Sequence, residues 1–278
     1  MIMANHSSEY YVPPPSRWPI VGSLALLTLA GGFILFLDKM AAGPYVMALG
    51  AAILIYMLVG WFGSVIREDQ AGKLGGRVDM SFRWGMVWFI FSEVMFFGGF
   101  FGALFYARNF TLPSLADAQM LWPGFSGAWP SAGPGIREQF TPMAAWGIPA
   151  LNTLILLSSG ATVTWAHWGL KQGRRRQLKI GLILTILLGL TFLVLQAHEY
   201  LDAAFTIRTG IYGATFYMLT GFHGMHVTLG AIMLTVITFR VFAGHFSPDD
   251  HFGFEAVSWY WHFVDVVWLL LFVFVYWL

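Results

Sequence analysis

The stretch Ser92-Glu93-Val94-Met95-Phe96-Phe97-Gly98-Gly99-Phe100-Phe101 decides how the chain is read. It sets one carboxylate, Glu93, near the middle of an apolar run from Phe82 to Tyr106. Such a run is long enough to cross the ~30 Å hydrocarbon layer of a bilayer. At a rise of ~1.5 Å per residue, counted from Trp84, Glu93 lies roughly 14 Å deep, close to the midplane. A charge there costs at least about 2.5 kcal/mol, so Glu93 must be protonated, hydrogen-bonded to a neighbouring helix, or turned to trapped water. The rest of the chain has to supply its partners.

Composition sets the class. Of 278 residues, 58% are hydrophobic, 18% aromatic and only 10% charged, well below the roughly 25% charged of a soluble domain. The chain reads as an all-α, polytopic membrane protein. Its net charge of +1 gives no reason to expect a nucleic-acid partner. The absence of cysteine excludes thiolate chemistry, disulfides and Cys-ligated clusters.

Seven apolar spans, each of roughly 20 residues or more, follow in order. They are Trp18–Leu37, Tyr45–Ile66, Phe82–Tyr106, Ala145–Gly169, Leu178–Ala197, Ile211–Phe242 and Phe254–Leu278. Before them, Met1 to Ser16 is polar, carries Pro13-Pro14-Pro15, and lacks the pattern of a signal peptide. It reads as an extended surface arm. The sixth span is too long for a perpendicular crossing and should tilt or project. The fifth ends at Gln196-Ala197-His198-Glu199, polar enough to mark an interface. No internal repeat is visible, which weakens an inverted-repeat transporter reading.

Loop cations give an orientation. One side holds Arg17, Arg67, Lys73, Arg77, Arg83, Lys171, Arg174, Arg175, Arg176, Lys179 and Arg240; the other holds Lys39, Arg108, Arg137 and Arg208. The positive-inside rule then puts the N-terminus inside and the C-terminus outside. The long connection at 108–144 lies outside, and its Gly, Pro and Trp content suits a packed surface feature or docking element. Organisation is expected as an arm and two-helix module over 1–80 and a five-helix bundle over 81–278.

Ionisable residues fall unevenly. The first two spans have none in their interiors, the third has Glu93, the sixth His223 and His226, and the seventh Glu255, His262 and Asp265. With Ser258, the last three occupy an arc of about 80° on a helix, too narrow a polar stripe to face lipid. His223 and His226 lie one turn apart near the depth of Glu93, and Gly230 continues their face, leaving room for another helix. The third, sixth and seventh helices are therefore expected to pack together and satisfy one another's polar groups.

Three readings of these residues stand open. One is a buried hydrogen-bond network that fixes helix register. Another is a proton or ion pathway, since intramembrane Glu and His serve relays. The last is a metal site from Glu93, His223, His226 and His262, although a di-iron bundle wants more carboxylates and a haem needs axial ligands over a pocket. His6, His167, His198, His245 and His251 fall near interfaces or in loops and make no histidine-rich box.

Trp259-Tyr260-Trp261 and Tyr276-Trp277 read as aromatic belts at the two ends of the last span. Gly98 and Gly102 form a small-xxx-small pair, read as helix packing. Arg67 and Arg240 end their spans on the same side and can snorkel to any phosphate or form a pocket for an anionic lipid. Arg174-Arg175-Arg176 reads as a topology determinant.

The chain resembles subunit III of the haem-copper cytochrome c oxidases over nearly all its length. The resemblance is densest in SEVMFFGGFFGALFYAR from Ser92, LNTLILLSSGATVTWAH from Leu151, TGFHGMHVTLG from Thr220 and HFGFEAVSWYWHFVDVVWLLLFVFVYW from His251, with Val65-Ile66-Arg67-Glu68 adding to it. It implies seven helices, the first two separated from the other five by a phospholipid-filled cleft. It also implies an accessory subunit with no catalytic residue, metal or redox cofactor of its own, haem and copper residing in partner subunits. Such a subunit sits against subunit I, with subunit II in the complex and cytochrome c as electron donor. It supports proton uptake and protects the catalytic centre during turnover. Glu93 and His226 match the family's intramembrane carboxylate and its histidine partner, while Arg67 and Arg240, with Trp61, match lipid-holding positions. Trp168 departs from the pattern, since many relatives carry a second histidine there, and the third-to-fourth loop is long. That loop leans toward a bacterial plasma membrane over a mitochondrial inner membrane. The alternatives are subunit III of a quinol oxidase, which typically lacks the first two helices, and a stand-alone proton or ion transporter using Glu93, His223, His226, His262 and Asp265.

Overall fold

A computed structural model describes residues 11–136 and 140–278. Most of the N-terminal arm, with His6, and Arg137 of the outer-loop count lie outside the described residues. Among the described residues there is no strand, and seven helices are long and apolar enough to cross a membrane. The chain divides into two compact units between Phe82 and Arg83.

The first unit is a helical hairpin of α1 (Trp18–Leu37) and α2 (Gly43–Gln70). Each helix carries proline in its first turn, at Pro19 and Pro44, where no amide hydrogen bond is lost. The two helices pack backbone to backbone because glycine faces the seam: a Cβ on Gly32 would meet the Met47 amide nitrogen, and one on Gly50 that of Leu29. Small residues let apolar helices approach where water-driven association is absent. Much of the remaining hairpin surface is exposed and apolar, with Leu27, Phe33, Ile55 and Val59 among the exposed side chains.

The second unit begins with α3 (Gly76–Tyr106) from Arg83 onward. Helix continues through the wider turn Ala107–Thr111 into α4 (Leu112–Asp117), so the expected 108–144 loop is shorter than read. Then come α5 (Ile148–Lys171), α6 (Arg175–Asp202), α7 (Gly210–Phe242) and α8 (Phe252–Leu271). A π-type coil, Phe272–Trp277, extends α8. Helices α2 and α6 overrun their apolar spans at both ends, since backbone bonding does not stop at the edge of the hydrocarbon. The α5–α6 turn closes in three residues, with Gly173 at φ 68°, a left-handed conformation that costs glycine little.

In the most apolar stretch of α8 half the residues are buried, against 11% for α3, so α8 is central and α3 peripheral. Trp261 and Trp268 on α8 are fully buried, with Phe192 of α6 and Phe216 of α7. Gly230 does admit another helix: a Cβ there would press on the Trp261 ring of α8. Gly98 and Gly102 behave otherwise, with nothing among the described residues within 4 Å of a Cβ placed on either. Within its own unit, this pair therefore packs no helix among the described residues.

The aromatic-belt reading also needs correction. Tyr260, Trp261 and Tyr276 are core residues, 2%, 0% and 7% exposed, and only Trp277 of the second pair is exposed. The polar atoms of Trp261 and Tyr276 find internal partners, which removes their reason to sit at the headgroups. Trp261 Nε1 donates to Ser159 Oγ at 2.9 Å. The segment between α4 and α5 is docked: Met143 N–H donates to Tyr212 Oη at 3.1 Å, and Trp129 and Phe140 lie against the Tyr212 ring.

Candidate functional site: buried polar pairs of the helix bundle

Glu93 and His226 meet. Nε2 of His226 lies 2.8 Å from Glu93 Oε2, and the two side chains are 20% and 6% exposed in the order Glu93, His226. Nδ1 of His226 lies 2.6 Å from the carbonyl of Phe222, one turn back on α7. A carbonyl only accepts, so Nδ1 carries a proton, and the Nε2–Oε2 contact holds a second one between imidazole and carboxyl group. Either placement leaves the pair without net charge, which suits its depth. The rings of Phe96, Phe97 and Tyr260 surround His226.

His223 serves a different partner. Its Nε2 donates to the Val264 carbonyl of α8 at 3.2 Å, and its ring packs on Phe192 and Trp268. This joins α7 to α8, as the clustering of these residues suggested.

The stripe on α8 does not turn to α3 and α7 as a whole. Ser258 bonds back to its own helix at the Phe254 carbonyl. His262 and Asp265 face α5: His262 Nε2 is 3.2 Å from Thr164 Oγ1, and its Nδ1 is 3.6 Å from Asp265 Oδ2. Expecting mutual satisfaction by three helices failed because α5 offers a hydroxyl and a glycine there, no charge that would advertise a partner.

Glu255 joins a separate cluster where α3, α5 and α8 come together at one end of the bundle. Arg83 Nη1 donates to its Oε2. Its Oε1 lies 3.3 Å from His251 Nε2, 3.5 Å from His167 Nε2 and 4.0 Å from Lys171 Nζ. Sequence reading set His167 and His251 aside, since nothing in their spacing shows that the end of α5 and the residue before α8 meet. His167, His251 and Glu255 each offer a ligand atom, all within 4.8 Å of one another. Two cations already face the carboxylate, however, so a metal ion would have to displace them, and the group reads as an ion-pair cluster. The four residues weighed for a metal on sequence, Glu93, His223, His226 and His262, divide among three sets of partners.

One buried carboxylate was missed. Glu199 and Gln196 are 3% and 4% exposed, buried within the bundle. Tyr276 Oη donates to Glu199 Oε1 at 2.7 Å and accepts from Gln196 Nε2 at 3.2 Å. The signal was present: Phe192, Gln196 and Glu199 follow i, i+4, i+7 spacing, one face of a helix.

The three residues proposed for lipid stay near helix ends or surfaces. Arg67 Nη2 donates to Ser64 Oγ at 3.0 Å in the last turn of α2, where Trp61 is 48% exposed. In the other unit, Arg240 stacks over the Phe246 ring, 4.4 Å from its centroid, at the end of α7.

A family profile described as cytochrome c oxidase subunit III matches residues 8–278. Cytochrome c oxidase subunit 3 of Cyprinus carpio is 43% identical over 276 residues, and that of Danio rerio 44%, covering 99% of both chains in each case. The subunit 3 of Marchantia polymorpha is 44% identical over 269 residues, 96% of either chain. The similarity thus takes in both units and all of the polar pairs.

Proposed function

Because this chain belongs to the cytochrome c oxidase subunit III family, we propose that it works as an accessory, cofactor-free subunit of a proton-pumping oxidase. Haem and copper then reside in partner subunits, electrons come from cytochrome c, and this chain braces subunit I, with subunit II in the same complex. The setting is an energy-transducing membrane, with the N-terminus inside.

The observation that supports bracing over transport is the Glu93–His226 pair. Its proton is held between two named atoms, and the remaining imidazole nitrogen is tied to a backbone carbonyl. A group so fixed keeps two helices in register at a depth where an open polar group is costly. Proton uptake by subunit I is supported indirectly, through a stable wall beside its entry path. Phospholipid held by Arg67, Arg240 and Trp61 belongs to the same role, limiting exchange beside that wall.

The test compares the oxidase purified with and without this chain. Without it, the haem spectrum and metal content should be unchanged while activity decays over fewer turnovers. Equal active lifetimes would overturn the bracing role. A purified chain in liposomes that conducts protons, with conduction lost in Glu93→Gln, would replace it with the transporter reading.

A further inference from the structure

Lys179 of α6 holds its Nζ over the Phe242 ring of α7, 4.5 Å from the centroid. It pairs with no carboxylate among the described residues, and neither does Arg176, which is exposed one turn earlier. Arg175 is engaged elsewhere, donating from Nη2 to the Phe246 carbonyl at 2.7 Å. Phe242 is 53% exposed, so the seam that carries these cations opens outward from the bundle.

The same seam carries a groove of about 220 Å³, walled by Leu190 and Leu193 of α6 and by Thr228, Ala231, Ile232 and Val236 of α7. Thr228 and Thr235 turn their hydroxyls back to the carbonyls of Gly224 and Ala231, which leaves the groove no free donor. At ~100° per residue, Lys179, Ile186 and Leu190 share an arc of about 40° on α6. Phe242, Thr235, Ala231 and Thr228 share one of about 60° on α7. Cation and groove thus lie on one face of each helix. Their depths follow as well. Counted at ~1.5 Å per residue from His226, the partner of mid-span Glu93, Val236 lies roughly 15 Å out and Phe242 roughly 24 Å. The hydrocarbon ends ~15 Å from the midplane and the headgroups at ~20–22 Å. A modest tilt therefore sets Lys179 among phosphates and the groove among acyl chains of the same leaflet.

We propose that this α6–α7 seam binds one anionic phospholipid, its phosphate between Arg176 and Lys179 and one acyl chain along the groove. Two cations without a protein counter-charge select a net negative headgroup over a zwitterionic one. A groove whose hydroxyls are tied back suits a hydrocarbon chain. The carbon stem of Lys179 lies along apolar surface with its ammonium at the phosphate. This site is separate from the one proposed for Arg67, Arg240 and Trp61. Arg240 precedes Phe242 by two residues, about 160° round α7, and stacks on Phe246 instead.

The test uses the assembled oxidase in phosphatidylcholine vesicles holding a small fraction of phosphatidylglycerol with a diazirine midway along one acyl chain. After irradiation, adducts located by peptide mass spectrometry should concentrate on residues 190–193 and 228–236. The same diazirine carried on phosphatidylcholine should label these residues several-fold less. In Lys179→Gln the yield should fall about fivefold, the change expected for one cation at a membrane surface, and in Lys179→Arg it should stay near wild type. Ile232→Trp, which fills the groove from an exposed position, should displace the adducts while the cations remain. An unchanged haem spectrum shows that each variant is assembled, and the comparison of the two lipids on wild type decides the matter where one is not. Equal labelling by the two lipids, or of wild type and Lys179→Gln, would mean an ordinary boundary lipid and overturns the proposal. Absence of adducts at the seam overturns it too, because the seam is then closed to lipid.

Discussion

His226 presents one nitrogen to Glu93 at 2.8 Å and the other to the Phe222 carbonyl at 2.6 Å, so its two hydrogen bonds have opposite requirements. The second bond fixes a proton on Nδ1, which leaves a neutral ring able only to accept at Nε2. A substitute for Glu93 therefore has to donate. Glu93→Gln keeps an N–H for that nitrogen and should change stability by no more than about 1 kcal/mol. Glu93→Ala leaves the nitrogen without a partner and should cost about 1–3 kcal/mol. Thermal denaturation of the purified complex, monitored by helical circular dichroism, distinguishes them. Equal melting curves for the two variants would mean that the pair does not hold α3 to α7.

Glu255 faces Arg83, Lys171 and two histidines. Removing it should therefore do more than delete a bond, because the cations then face one another. Glu255→Gln should destabilise the bundle, and Arg83→Gln added to it should restore part of the loss. The expected coupling in the double-mutant cycle is about 0.5–3 kcal/mol. At 12% exposure the carboxylate is shielded from salt, so the coupling should persist at raised ionic strength. An additive cycle would show that the cluster is held by its surroundings instead.

The seven helices and Glu93's need of a partner were legible because both follow from depth, while the choice of His226 over His223 came only from the family resemblance. A run of apolar residues has to cross the bilayer, and a carboxylate at its centre needs a partner at the same level. Which helix faces which was not legible. Membrane helices are apolar all round, so periodicity does not mark the packed face. Asp265 illustrates the limit: its stripe was evident, but its neighbour Gly160 is defined by an atom it lacks. Trp261 shows another, since a tryptophan near a span end suits a headgroup as well as it suits Ser159. His167 and His251 are brought together only by the fold.

Arg67 and Arg240 give a prediction on lipid. Each ends a long helix, Arg67 beside Ser64 and Arg240 over Phe246. Cations in such positions attract anionic headgroups by about 1 kcal/mol apiece. Arg67→Ala with Arg240→Ala should lower the anionic phospholipid that co-purifies with the oxidase, measured by lipid mass spectrometry. It should also shorten the enzyme's active lifetime, leaving the initial rate and haem spectrum alone. Unchanged lipid content and lifetime together would remove lipid binding from the proposed role.

Tyr276 bridges two side chains that α6 buries, accepting from Gln196 and donating to Glu199. It also lies in the π-type coil that follows α8, so its hydroxyl fastens the last turn of the chain to α6. Tyr276→Phe removes one oxygen but strands two polar groups. The expected loss is about 1–3 kcal/mol, larger than a single hydrogen bond normally gives. Replacing all three polar partners by apolar groups of similar shape removes the stranded atoms as well. Tyr276→Phe combined with Gln196→Leu and Glu199→Leu should therefore recover much of the stability, since exchanging both sides of a buried bond is nearly neutral. Hydrogen exchange at the Phe272–Trp277 amides supplies the local readout: faster in Tyr276→Phe and slowed again in the triple variant. Exchange in the single variant no faster than in wild type would show that packing around Phe216 and Trp268 holds the chain end without the hydroxyl.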